Sequence, residues 1–175
     1  MKIKLYCLLL AIAASLFFSS CAHFEQSRGI WGEEDEAIQT KYVAVKFPSA
    51  RISEVKRSLE VKDIEEIDVL YKEVFDFLKK RLGDEKTILT PVRVGITIYA
   101  SPRRLDKVYR SLGGKEARME AFYAAGTGEI YISLWCLDWW RLAHEFAHHI
   151  LRKELGLNLP EKEEEYLARC AGEFL

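Results

Sequence analysis

Only four histidines, four cysteines, four prolines and two methionines occur among the 175 residues, and charge of either sign is nowhere in surplus, 26 basic side chains standing against 27 acidic ones. That balance gives no electrostatic footprint for nucleic acid, and no RNA- or DNA-binding signature is present. Internal repeats and low-complexity segments are also missing, so the chain is not a repeat array. The longest apolar run, Leu5 to Phe18, is too short for a comfortable membrane span. What is there is globular: 49% hydrophobic and 30% charged residues, with room for one ordinary domain and a proper core.

The first twenty residues read as a leader rather than as fold. MKIKLYCLLLAIAASLFFSSC begins with Lys2 and Lys4, continues through the apolar run, and ends in small residues, the layout of a secretory signal peptide. Its end, Phe18-Ser19-Ser20-Cys21, resembles a bacterial lipobox, in which the cysteine is acylated and becomes the mature N-terminus. Phe18 departs from the usual leucine; an ordinary cleaved signal with Cys21 incidental is the competing reading. If it is a lipobox, Ala22 after the cysteine points to the outer membrane of a two-membrane bacterium, facing the periplasm. Loss of the leader removes Lys2, Lys4 and Cys7 and leaves a slightly acidic chain. Cys136 and Cys170 then remain in an oxidising compartment, either bridged or as two buried thiols.

Residues 21–40 read as a tether and 41–175 as the domain. KYVAVKF (41–47), closed by Pro48, is a first strand. The apolar spacing from Ile52 to Leu59 suggests a helix. A longer one carries Ile64, Ile67, Leu70, Tyr71, Val74, Phe77, Leu78 and Leu82 in a single stripe and stops at Gly83. Val92, Val94, Ile96 and Ile98 alternate with polar or small residues as a strand. Ser101-Pro102 opens a helix that Gly113-Gly114 ends. Its Arg103, Arg104, Lys107 and Arg110 read as a solvated face, with contact to anionic lipid or cell-wall polymer as the less favoured use. GEIYISL (128–134) is a further strand; helices follow over Asp138 to about Leu155 and from Pro160 onward. This order predicts an α+β domain, a small mixed sheet packed on helices.

Chemistry concentrates in RLAHEFAHHI. His144-Glu145-Phe146-Ala147-His148 matches H-E-x-x-H. On a helix, residues four apart lie one turn above each other, so both imidazoles can face one tetrahedral ion. The glutamate beside the first histidine then sits next to the ion without ligating it and can take a proton from bound water. His149 points about a quarter-turn away, toward a supporting or surface role. A catalytic zinc needs a third protein ligand, and histidine is nearly used up: His23 lies in the tether. The downstream helix holds Glu161, Glu163, Glu164 and Glu165, where acidic residues are also favoured by the helix dipole.

H-E-x-x-H followed by a glutamate on the next helix resembles the gluzincin metallopeptidases. In several of their branches that glutamate opens an E-x-x-A-[D/N] pattern; Glu165-Tyr166-Leu167-Ala168-Arg169 matches the glutamate and the alanine but has arginine last. The resemblance covers about the last 85 residues and implies a zincin-like domain with Zn2+ held by His144, His148 and Glu165, with Glu164 as the substitute. It also implies that the strand before the metal helix, GEIYISL, rims the cleft where a peptide adds as an extra strand. Tyr123 or Tyr131 would supply a hydroxyl to the oxyanion, against the commoner alternative of aromatic packing. Trp135, Trp139 and Trp140 read as core or pocket wall. The expectation is therefore a lipid-anchored zinc endopeptidase of the cell envelope, with Glu145 activating the zinc-bound water against a peptide or protein substrate. Two rivals stand beside it: a non-catalytic scaffolding lipoprotein of the same fold, and a structural zinc site closed by His149 or Cys170.

Overall fold

The computed structural model describes residues 35–84, 93–115 and 118–174. The leader, Cys21, the first part of the tether and Val92 lie outside the described residues. Five strands, β1 (Asp35–Gln39), β2 (Val43–Pro48), β3 (Val94–Tyr99), β4 (Ala121–Ala124) and β5 (Glu129–Ser133), form one mixed sheet in the order β1-β2-β3-β5-β4. The three central strands run parallel, and the two edges, β1 and β4, run antiparallel to their neighbours. The helices are α1 (Ile52–Ser58), α2 (Glu66–Leu82), α3 (Pro102–Ser111), α4 (Trp139–His149) and α5 (Glu161–Phe174). The α+β class is as the sequence pattern indicates.

Hydrophobic period builds each layer. Val94, Ile96 and Ile98 point to one face of β3, Val43, Val45 and Phe47 to the same face of β2, and Ile130 and Ile132 to that of β5. Against them pack Ile67, Leu70, Tyr71, Val74 and Leu78 of α2 and Leu142, Phe146 and Ala147 of α4, all buried. Each large apolar side chain so placed contributes roughly 1.5–3 kcal/mol relative to exposure. The other face carries a smaller cluster in which Leu105 of α3 meets Phe122 and Tyr131. Gly83 ends α2 in the left-handed conformation at φ 68°, where a side chain would be strained. Among the described residues no helix is long and apolar enough to cross a membrane.

Two strands escape the sequence reading. β1 occupies the second half of the stretch read as tether. DEAIQ is polar because an edge strand exposes most of its side chains, and only Ile38 packs against the core. Its turn into β2 is fixed from α2: the Asp68 carboxylate accepts from the Thr40 hydroxyl (2.6 Å) and from the N–H groups of Lys41 (2.8 Å) and Tyr42 (2.9 Å). β4 has four residues, too few for an alternation to stand out beside the turn that follows.

Candidate metal centre

Asp138 starts α4 by accepting from the Arg141 N–H at 2.7 Å. The Arg141 guanidinium pairs with Asp138 and also with Glu120, at 2.9 and 2.7 Å, fastening the first turn of α4 to the residue before β4. Burial of Leu142, Ala143, Phe146 and Ala147 turns the remaining face, with His144 and His148, toward α5. After His149 the helix widens into one π-helical turn, Ile150–Glu154, and Gly156 reverses the chain at φ 63°. α5 returns antiparallel: its start meets His148, while Gly172 near its end lies under Trp140. A Cβ at Gly172 would fall 3.0 Å from both the indole Nε1 and the main-chain oxygen of Trp140, so a larger residue would need Trp140 to give way by a few tenths of an ångström.

That approach brings three ligand atoms together. The two Nε2 atoms of His144 and His148 lie 3.2 Å apart, and the Glu165 carboxylate oxygens lie 3.5 Å from the first and 3.4 Å from the second. One ligand atom from each of the three side chains lies within 4.8 Å of the other two, near enough for a single ion to reach all three. His144, His148 and Glu165 can therefore hold a metal ion. No fourth histidine, cysteine or carboxylate joins them among the described residues.

Glu164 has a different job from its neighbour. Its side chain is buried, and Oε1 accepts from His148 Nδ1 and from Arg152 Nε, both at 2.7 Å. Burial alone would raise its pKa; the Arg152 and His148 hydrogen bonds outweigh it and hold the carboxyl below the usual range. The ionised carboxylate fixes the ring so that Nε2 is the free, basic nitrogen. The acceptor for His148 thus comes from Glu164, one residue ahead of Glu165. His144 is steered differently: Trp140, one turn earlier, stacks on it at 5.7 Å and 23°, and its Nδ1 is buried without a partner. Burial, then the neighbouring His148, lowers the His144 pKa, which favours the neutral form that binds metal.

Glu145 lies next to this group and is 7% exposed. Burial first, then the charge of Glu165, pushes its pKa up to about 8, against the opposing pull of the Tyr123 main-chain N–H. That N–H faces outward. The Ser133 N–H donates to the Glu120 carbonyl at 3.0 Å, so the antiparallel alternation ties Phe122 to β5 and leaves the main-chain groups of Ala121 and Tyr123 on the open edge. The rim of the site is therefore β4 and not β5, which lies inside the sheet between β3 and β4.

For Tyr131 the commoner alternative, aromatic packing, holds. The Tyr131 hydroxyl donates to Glu129, and its ring stacks on Phe122 on the face away from α4. The Tyr123 hydroxyl is buried without a partner, neighbouring Arg152 and Glu164 behind His148 rather than the converging ligand atoms. His149 is buried between the rings of Tyr71 and Tyr123, where burial drives its pKa to about 4, and it does not join the group of His144, His148 and Glu165. Cys136 and Cys170 are half-buried free thiols. Trp139 packs on the core, but Trp135 is 80% exposed and walls nothing. The supporting role of Glu164, named beforehand as the substitute ligand, and the contributions of Arg152 and the Tyr123 N–H are what sequence reasoning missed. Compared with family models, with curated proteins and with solved structures, the chain matches none.

Proposed function

We propose that the protein is a zinc-dependent endopeptidase, a hydrolase of the bacterial cell envelope, anchored by lipid on Cys21. The observation that carries the reading is the convergence of His144, His148 and Glu165 beside a buried carboxyl that is not one of the three. Zinc bound by these three residues would supply Lewis acidity toward a carbonyl oxygen and toward water. Glu145 takes a proton from the attacking water and passes it to the departing amine nitrogen as the C–N bond breaks. A carboxyl beside the three ligands that is not itself one of them is placed to accept that proton and return it. Glu164, held by Arg152, keeps His148 aimed at the site.

The open edge of β4 supports a peptide as the substrate. Outward main-chain groups of Ala121 and Tyr123 can pair with an extended chain, and Glu145 already touches that edge through the Tyr123 N–H. A closed, purely structural site is disfavoured because neither His149 nor Cys170 joins the cluster.

Purified mature protein should contain about one equivalent of zinc and cleave unstructured peptides, and a chelator should abolish both. Glu145→Gln should retain zinc and lose at least about 100-fold in kcat. Equal activity of the two proteins would remove Glu145 as the base. Cys21→Ser should release the protein from membranes or block its processing; unchanged retention would rule out the anchor.

A further inference from the structure

A cavity of about 340 Å³ lies on the face of the sheet opposite the metal centre, between the end of α3 and the β4–β5 turn. Tyr109, Leu112, Phe122, Ala124, Gly126 and Thr127 line it, and among the described residues no charged side chain does. Its wall is built rather than incidental. The Tyr109 ring meets Phe122 edge-on at 5.0 Å and lies so close over Gly114 that a Cβ there would fall 2.2 Å from the ring. Leu112 is 48% exposed at its mouth, an apolar side chain left facing solvent.

The cavity borders the rim strand. Phe122 and Ala124 point their side chains to this face, and Ala121 and Tyr123 to the metal face. A peptide added along β4 obeys the same alternation. Its residue opposite Phe122 sets its Cβ roughly 4.5–5.5 Å from that of Phe122, on the cavity side. Neighbouring peptide residues face α4 and the ligands instead. Resting on the peptidase reading above, we propose that this cavity is a specificity pocket, which accepts one large apolar or aromatic side chain of the substrate a strand position away from those facing the metal. Its volume is at the lower end for ligand sites and suits a single side chain, and its uncharged lining leaves a carboxylate or ammonium without a partner.

The test uses the zinc-loaded mature protein and a set of acetylated octapeptides of alanine and threonine that carry Phe, Leu, Ala or Asp at one stepped position. Wild type should prefer Phe or Leu over Ala at a single position relative to the cut by at least tenfold in kcat/KM, and Asp should be the poorest. Ala124→Leu, which fills the cavity from the strand, should shrink the Phe-to-Ala ratio to about twofold while the Ala peptide is cleaved within about threefold of wild type. Leu112→Ala, a truncation at the exposed mouth that should leave folding intact, should lower the Leu and Phe rates several-fold. In parallel, zinc-loaded Glu145→Gln is titrated with the same peptides.

Cleavage whose side-chain preference is absent, or is unchanged in both variants, overturns the pocket and leaves the hydrolytic reading standing. Phe-selective binding that Ala124→Leu abolishes, with no cleavage by wild type, sinks hydrolysis and supports the pocket. Neither binding nor cleavage of any peptide overturns both.

Discussion

The two sides of α4 are built on opposite principles. Toward the sheet and α2 it presents Leu142, Phe146 and Ala147, which join Ile130, Ile132 and Tyr71 in the main apolar core. Toward α5 it presents two imidazoles, and the seam also buries Glu164. Glu145 is buried beside it, and His144 Nδ1 has no partner. The apolar side stabilises the fold whatever the solution contains. The polar side costs free energy unless something compensates its desolvated groups. A cation between the three ligand atoms would do that, so stability on one side should be indifferent to metal and on the other should depend on it.

The sharpest separation comes from damaging each side in turn. Ile96→Ala, in the central strand, should cost about 2–5 kcal/mol and lower the melting temperature by the same amount with zinc or with chelator. Next in size is the response to metal itself. Zinc at a hundred times its dissociation constant should stabilise the wild type by about 2.7 kcal/mol in thermal or urea unfolding, and His148→Ala should erase that gain. If zinc stabilises Ile96→Ala no more than it does His148→Ala, the contrast between the two sides is wrong.

A smaller effect is expected one layer out. Glu164→Gln keeps the shape of the side chain but removes the charge that orients His148, and should weaken zinc binding by about 10–100-fold in competition with a chromogenic chelator. The mildest prediction concerns pH. Glu145 has a folded-state pKa of about 8, above its ordinary value, so between roughly pH 4.5 and pH 8 the folded state binds more protons than the unfolded one. Stability of the metal-free protein should therefore fall as pH rises through that window. Glu145→Gln, which cannot titrate, should flatten the curve, gaining on the wild type as pH rises through that window and not below about pH 4.5. Parallel curves for the two proteins would mean that Glu145 is not the buried acid described above.

Where the pattern was dense, the sequence was readable. Three-four spacing in α2 and strict alternation in β3 left a single way to bury the apolar residues, and both elements form close to where they were expected. H-E-x-x-H was equally legible because its four-residue step is the geometry of one helical turn. Illegible were the features decided by neighbours far along the chain. Neither DEAIQ nor AFYA signals a strand alone; pairing with β2 and β5 makes each one. Nor could a run of four glutamates say which of Glu164 and Glu165 faces the ligands. Side chains one residue apart on a helix diverge by about 100°, and only the Arg152 contact behind His148 assigns the inner one to support.

Gly172 has a consequence that reaches beyond its own contact. It lies seven residues from Glu165, about 10 Å along α5, yet it sets how near the two helices come at Trp140. The missing methyl group acts as the spacer of a caliper whose jaws are the carboxylate on one arm and the paired imidazoles on the other. Gly172→Ala would open those jaws by tenths of an ångström without touching any reacting atom, and so would tilt the choice among ions of different radius.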